Sequence, residues 1–344
     1  MACSPCISKF VKYVDSDECQ SDELTIPWRF VHFNGNRLNE TVKLRFRNGY
    51  IIQVDFDRRN RRFVRMHDFF KDFSMKGGEI LFFQYASRGV LDVFIIGADF
   101  GEIDYPGVVH SRQDSTPQNL INIRDGWHYV HQLSHAGTVV DEIVPPHRYM
   151  EKICKRMPLK VKYVTNDGDE FLGYYDRIQG RFTGLKLICD HLGIENLNAF
   201  TTLVFCYDWT KRFHVSFIDG YNMEINLNMN LRGDALPESI RVPSFFVIEV
   251  KPFHMLPYCY GVDIPVEFKR VTEMWGRNVE IRVYKGDISW TLSVHKRADW
   301  KCTCILNGWT TFRDDVQLGI GDKLYFQWKD ESYKFTFEVV KAGN

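Results

Sequence analysis

Apolar and polar residues alternate along most of this chain with the period of two expected of a strand that buries one face. Val42, Leu44 and Phe46 alternate with Lys43 and Arg45, and Trp290, Leu292 and Val294 with Thr291 and Ser293. The strand runs come in pairs, TVKLRFRNGYIIQVDF, LKVKYVTNDGDEFLGYY and VEIRVYKGDISWTLSV, broken at Asn48-Gly49, Asp167-Gly168 and Lys285-Gly286. The first two dipeptides are strong hairpin signals, because Asn or Asp followed by Gly tolerates the positive φ of a tight turn. Ahead of each pair stands a short helix-like run opened by proline: PWRFVHFNG, PPHRYMEKI and PVEFKRVTEMWG. Proline suits a first helical turn, where its missing N–H costs nothing, and Gly35 and Gly276 supply C-terminal stops.

These elements recur in a fixed order, which makes an internal repeat the main organising feature. DELTIP (Asp22–Pro27) returns as DEIVP (Asp141–Pro145) and as GVDIP (Gly261–Pro265). Leu318, Gly321, Asp322, Leu324 and Phe326 match Met75, Gly78, Glu79, Leu81 and Phe83. Leu197, Phe200, Thr201, Leu203 and Phe205 match them again, without the glycine and the acid. A last strand closes each copy: VLDVFII, RFHVSFI and KFTFEVV. The alternation is lost over 106–125 and 228–243, which read as linkers. The expected map is a first domain at 8–105, a second, degenerate one at 126–227 and a third at 244–344, each of ordinary size for autonomous folding.

Composition adds limits. With 44% hydrophobic and 15% aromatic residues among 344, the chain can bury cores, and its 27 Phe and 16 Tyr favour strands. No apolar run has the length that spans a bilayer, and the first residues lack the apolar core of a secretory signal, so an intracellular protein without membrane contact is expected. Nine cysteines, an odd number without paired zinc spacing, are expected to be reduced thiols. The histidines near the second copy's start, His128, His131 and His135, are not expected to hold a metal. Formal charge is zero, with 44 basic and 44 acidic residues, so nucleic-acid affinity would depend on where charge sits. There is no dinucleotide glycine fingerprint, Walker loop, nucleophile elbow or H-E-x-x-H, so neither an enzyme nor a cofactor is expected.

The order of I-P-x-x-F helix, hairpin and G-W-x-x-F…L-x-x-G-D-x-L-x-F ending resembles the plant B3 DNA-binding domain. The ending is fullest in the third copy, at Gly308, Trp309, Phe312, Leu318, Gly321, Asp322, Leu324 and Phe326. Three copies in tandem resemble the reproductive-meristem branch of that family. The resemblance covers about four-fifths of the chain, and its specificity lies in the repeated order of motifs. It implies a mainly β fold: three tandem seven-stranded open β-barrels (DNA-binding pseudobarrels), each with two short helices, in a nuclear regulator of transcription.

In that family two arms clasp the DNA major groove. Carried over, the first arm is Asp15–Glu23 in the first copy, about 134–142 in the second, and His254–Gly261 in the third. The second arm is Arg58, Arg59, Asn60, Arg61 and Arg62 after Asp57; Arg177 to Arg181 after Asp176; and Lys296, Arg297 and Lys301 with Trp300. The implied DNA-binding residues are those of the first copy together with Arg177, Arg181, His254, Tyr258, Tyr260, Lys296, Arg297 and Lys301. Guanidinium groups pair with phosphates and with guanine, and asparagine with adenine; such a cluster also occurs at ordinary solvated hairpin ends.

Charge separates the copies. Asp15, Asp17, Glu18, Asp22 and Glu23 load the first copy's first arm with acids that repel phosphate, whereas the third copy's first arm has none before Asp263. The third copy is therefore expected to bind double-stranded DNA best. The second, lacking the G-W-x-x-F helix, is expected to supply spacing or contacts to other transcription regulators. The competing expectation for the whole chain is a protein-interaction scaffold of degenerate barrels with weak or no specific DNA binding.

Overall fold

The structure, a computed structural model, describes residues 9–107, 126–133, 138–153, 157–227, 245–259, 261–286, 288–297, 302–330 and 333–343. Apart from Pro106 and Gly107, both expected linkers lie outside the described residues. Residues 1–237 form one compact unit and residues 238–344 another.

The fold is mainly β, in three curled, barrel-like sheets. The first contains β1 (Lys9–Tyr13), α1 (Ser16–Gln20), β2 (Glu23–Thr25), α2 (Trp28–Asn34), β3 (Thr41–Phe46), β4 (Ile51–Asp57), β5 (Arg62–Val64), α3 (His67–Asp72), β6 (Ile80–Ser87) and β7 (Val90–Ile96). The second contains β8 (Trp127–Gln132), α4 (His147–Ile153), β9 (Lys160–Val164), β10 (Glu170–Asp176), β11 (Arg181–Thr183), α5 (Lys186–Leu192), β12 (Thr202–Tyr207) and β13 (Arg212–Ile218). The third contains β14 (Phe245–Glu249), β15 (Val262–Ile264), α6 (Lys269–Thr272), β16 (Asn278–Lys285), β17 (Ile288–Lys296), β18 (Thr303–Asn307), α7 (Trp309–Val316), β19 (Lys323–Asp330) and β20 (Lys334–Val340).

Strand order is the same in each: β1-β6-β7-β3-β4-β5-β2 in the first, β11-β10-β9-β13-β12-β8 (written from the other end) in the second, and β14-β19-β20-β16-β17-β18-β15 in the third. Neighbours are antiparallel except β3–β7, β9–β13 and β16–β20, the parallel seam that brings the last strand back beside the hairpin. An aromatic pair marks one rung in all three copies. Phe10 stacks on Phe83 at 4.5 Å, Tyr129 on Phe205 at 4.7 Å and Phe246 on Phe326 at 4.8 Å. Each such pair adds about 0.5–1.5 kcal/mol beyond the area it buries.

The second sheet has six strands among the described residues, not the expected seven. Its counterpart of β2 is one bridged residue, Ile143, which exchanges backbone bonds with Phe182. In the first copy the next rung is closed by the Ile26 N–H donating to the Arg61 carbonyl at 2.8 Å. The corresponding residue in the second copy is Pro145, which has no N–H to give.

Helices also differ from expectation. The first copy has a third one, α1, inside its first arm. In the second copy, α5 occupies the place of the helix that was expected to be missing, with Leu185 and Ile188 fully buried where the third copy buries Trp309 and Phe312. The residue entering this helix is left-handed in all three copies: Arg65 (φ 67), Gly184 (φ 95) and Gly308 (φ 85). Two glycines there relieve a strain that the arginine bears.

Candidate nucleic-acid interface

Asp57 builds the first copy's second arm. Its Oδ1 accepts from the Asn60 N–H at 3.0 Å and its Oδ2 from the Asn60 amide at 2.7 Å, which fixes a tight turn between β4 and β5. These bonds, with Arg62 beside them, hold the Asp57 carboxyl below its usual range. Arg61 takes the left-handed position that closes the turn (φ 55), where the second copy has Gly180 (φ 65). Arg59 is exposed at the tip.

The other members of the cluster have intramolecular work. Arg58 donates to the Asn36 side chain at 3.1 Å and to the Gly35 carbonyl. Arg62 pairs with Glu23 and, at 3.4 Å, with Asp57, so it ties the two arms together. Asn60 commits one of its two amide donors to the turn. The structure thus brings the arginines to one tip, where Arg59 is exposed and Arg61 half-buried.

The acids of the first arm, expected to repel phosphate, are largely spent on the arm itself. Asp15 caps α1 through the Glu18 N–H at 2.9 Å, and Glu18 returns a 3.4 Å bond to the Asp15 N–H, a reciprocal capping box. Glu18 also meets the buried Lys12 ammonium at 2.8 Å. Asp22 accepts from the His67 N–H at 2.9 Å and so caps α3, and Glu23 holds Arg62. The repulsion argued from raw composition is correspondingly smaller, since most of these charges are offset locally.

The second copy repeats the device. Asp141 accepts from the Lys186 N–H at 3.0 Å at the start of α5, and Glu142 pairs with Arg181 at 2.5 Å. Arg177 donates to the Met157 carbonyl at 3.0 Å. Both arginines assigned to DNA in this copy are therefore engaged by the fold, and the tip between them carries Ile178.

Two assignments in the third copy are corrected. Lys296 is buried, donating to the carbonyls of Trp275 at 2.6 Å and Glu273 at 3.2 Å, and burial lowers its pKa against the opposing pull of Glu273. His254 is buried too. Its Nδ1 accepts from the Lys251 N–H at 3.1 Å, and its carbonyl accepts from Trp309 Nε1 and Arg313, each at 3.1 Å. Both residues hold the barrel together and neither presents its charge outward. Tyr258 and Arg297 are exposed as expected. Tyr260, Trp300 and Lys301 lie outside the described residues.

A further constellation, absent from the sequence reading, joins the first two copies. Past β7 the chain folds back over 97–103, and past β13 over 219–225; each tail pairs with the edge strand of the other copy. The matches run residue for residue. Gly101 bridges Tyr129, as Met223 bridges Phe10. The Val130 N–H donates to the Phe100 carbonyl at 2.8 Å, as the Val11 N–H does to Asn222 at 2.9 Å. The N–H groups of Glu102 and Glu224 donate to the carbonyls of His128 and Lys9, each at 3.0 Å. Glu102 also takes the His128 ring at 2.9 Å, as Glu224 takes the Lys9 ammonium at 2.9 Å. A reciprocal pattern of this kind is that of an isologous, two-fold-like interface. Val11, Ile80, Phe82, Phe94 and Ile96 close it against Val130, Val204 and Ile218.

One half of this clasp is a buried ionic network. Glu102, with no side-chain exposure, receives Arg47 at 2.5 and 3.0 Å and the Tyr105 hydroxyl at 2.9 Å besides His128, and Arg47 also donates to the Gly126 carbonyl at 2.6 Å. Burial opposes charge on both partners, yet the cations around Glu102 lower its pKa, and Cys206 and Glu102 beside His128 raise that of the imidazole. The sequence signal was present but unread: I-G-A-D-F-G-E-I at 96–103 and I-D-G-Y-N-M-E-I at 218–225.

No family model matches this chain, and no curated protein matches it. Among the solved structures similar to part of it are two from Arabidopsis. A hypothetical Arabidopsis thaliana protein, At1g16640.1, is 21% identical over 29% of this chain and 91% of its own, with a TM-score of 0.23. The Arabidopsis FUS3–DNA complex is 18% identical over 28% of this chain and 97% of its own, also with a TM-score of 0.23.

Proposed function

We propose that this chain is a B3-like, reproductive-meristem-type regulator of transcription that binds duplex DNA sequence-specifically in the major groove and acts in the nucleus. On this reading it is not an enzyme, needs no cofactor, and consists of three domains at 8–105, 126–227 and 244–344. The observation that carries the reading is the first copy's second arm: a side-chain-anchored turn on a rigid sheet with Arg59 exposed at its tip and the nearby acids mostly engaged by the fold. A turn fixed in this way lowers the entropy lost when its cations engage phosphate or a base edge.

The expected ranking of the copies changes. With Lys296 and His254 buried in the third copy and the first arm's acids engaged, the first copy becomes the stronger candidate and the third an auxiliary one through Arg297 and Tyr258. The scaffold reading keeps support from the second copy, where both arm arginines are tied down. Selection of random duplexes with the full chain tests the choice: an enriched motif whose binding falls when Arg59 is replaced by Ala supports DNA reading, and no enrichment defeats it.

A further inference from the structure

The three copies serve as internal controls for one another, and the second departs from the others on one face. Alternate residues of β9, β10 and β11 point away from the core: Lys160 and Lys162, Leu172 and Tyr174, Arg181 and Thr183. Their intervening neighbours Val161, Tyr163, Gly173 and Phe182 are buried. At the places of Leu172 and Tyr174 the first copy has Gln53 and Asp55, and the third has Thr291 and Ser293. Val144 replaces Thr25 and Asp263, and Ile178 at the arm tip replaces Arg59. All four apolar replacements are solvent-facing: Leu172 is 43% exposed, Tyr174 44%, Val144 63% and Ile178 97%. One exposed apolar side chain means little, but four on one face, each polar or charged in the first copy, form an exposed apolar set that scattered surface residues do not account for.

We infer that this face of the second copy is a docking surface for a partner protein, which it engages through an acidic segment carrying bulky apolar side chains. Charge selects that occupant. The face and its tip hold Lys160, Lys162, Arg177, Arg181 and Arg212 against Glu142, Glu170 and Asp176, five basic groups to three acidic. The acids already serve the fold. Glu142 holds Arg181, Glu170 takes Lys162 at 2.6 Å and Arg212 at 2.9 Å, and Asp176 accepts from the turn N–H groups. Lys160 stands exposed beside Tyr174, its register partner, so an incoming carboxylate meets a cation where an incoming aliphatic group meets a ring. Such a mixture of central apolar anchors and charged rim is typical of a peptide-binding surface.

The test uses the full chain and a fluorescein-labelled peptide alternating Asp or Glu with Phe or Leu, followed by fluorescence anisotropy. The triple variant Leu172→Gln, Tyr174→Asp, Ile178→Arg installs the first copy's residues at exposed positions and leaves net charge unchanged. The peptide is expected to bind the parent chain and to bind the variant at least about ten-fold more weakly, as loss of interface anchors requires. A peptide with Lys in place of the acids should bind neither. Equal binding by parent and variant, or by the lysine peptide, overturns the inference, as does failure of the acidic peptide to bind. A duplex-DNA affinity weakened by the variant also overturns it, by assigning the face to nucleic acid. Because the peptide titration itself involves no DNA, failure of the DNA-binding reading leaves the peptide result intact and separately measurable.

Discussion

Replacing Glu102 by glutamine keeps the shape of the clasp between the first two copies and removes its charge. In the native chain the carboxylate accepts five bonds, two from Arg47, two from His128 and one from Tyr105, with no solvent to share the load. A glutamine offers one oxygen, and turns an N–H₂ donor toward Arg47 or His128, both donors themselves. Breaking a buried pair in this way costs about 3–5 kcal/mol, because a cation is left buried without its counter-charge. Residues 1–237 form one compact unit, of a size for which 1 kcal/mol corresponds to about 2–4 °C if it unfolds cooperatively. Glu102→Gln is therefore expected to lower the melting temperature of that unit by about 6–20 °C in calorimetry of the full chain. The two-fold-related Glu224→Gln is the internal control. Lys9 is 22% exposed and also donates to Ser216 at 3.0 Å, so it keeps water and a second partner, and the loss should be about 1 kcal/mol. Equal shifts for the two variants, or a shift under about 2 °C for Glu102→Gln, would refute the claim that burial makes the two halves of the clasp unequal.

The same network makes a prediction in pH. His128, raised from 6.5 to about 9, contributes stability that is complete below about pH 6.5 and lost as pH rises through about 9. Glu102, lowered from 4.5 to about 2, contributes above about pH 4.5 and loses its contribution as pH falls through about 2. Denaturant titrations should place the unit's best clasp stability between those limits, and a profile unchanged by Glu102→Gln would contradict the assignment. Gly184→Ala should cost about 1–3 kcal/mol in chemical denaturation, since the residue sits at φ 95 and an added Cβ would lie 2.6 Å from the Leu172 carbonyl oxygen. Asp22→Ala should cost about 1 kcal/mol through loss of the α3 cap, read as faster amide exchange at His67, and unchanged exchange there would count against the cap.

Reading by period and turn chemistry located the strands well, because alternation and the Asn-Gly and Asp-Gly breaks report the backbone directly. The second arms implied by the family resemblance fall between β4 and β5, between β10 and β11, and after β17. The errors arose where one signal was read without its neighbours. Lys296 stands at an arm position in the sequence, yet it continues the inward parity of Leu292 and Val294, and parity puts its ammonium among carbonyls. Raw composition makes the first arm's acids look like free charge, whereas Asp15-x-x-Glu18 has the spacing of a capping box. The second copy's helix lacks the Trp that marks it in the third, and Leu185 and Ile188 fill the same hollow at smaller volume. His254 carried no local signal at all: its burial comes from α7, which is distant in sequence. The clasp has no local signal, because each tail folds back on its own last strand and completes its pairing on the edge strand of the other copy.

The most direct measurement of the DNA-binding account is the salt dependence of the full chain's affinity for its selected duplex, compared with the variant Arg59→Ala, Arg61→Gly. Glycine is used at Arg61 because that residue is left-handed (φ 55) and the second copy already has Gly180 there. Each cation seated on phosphate contributes about 0.9 to the slope of log affinity against log salt. The account predicts a slope flattened by up to about 1.8, with melting temperature unchanged. An unaltered slope and affinity would show that this arm is only a solvated turn and would contradict the assignment of DNA binding to it.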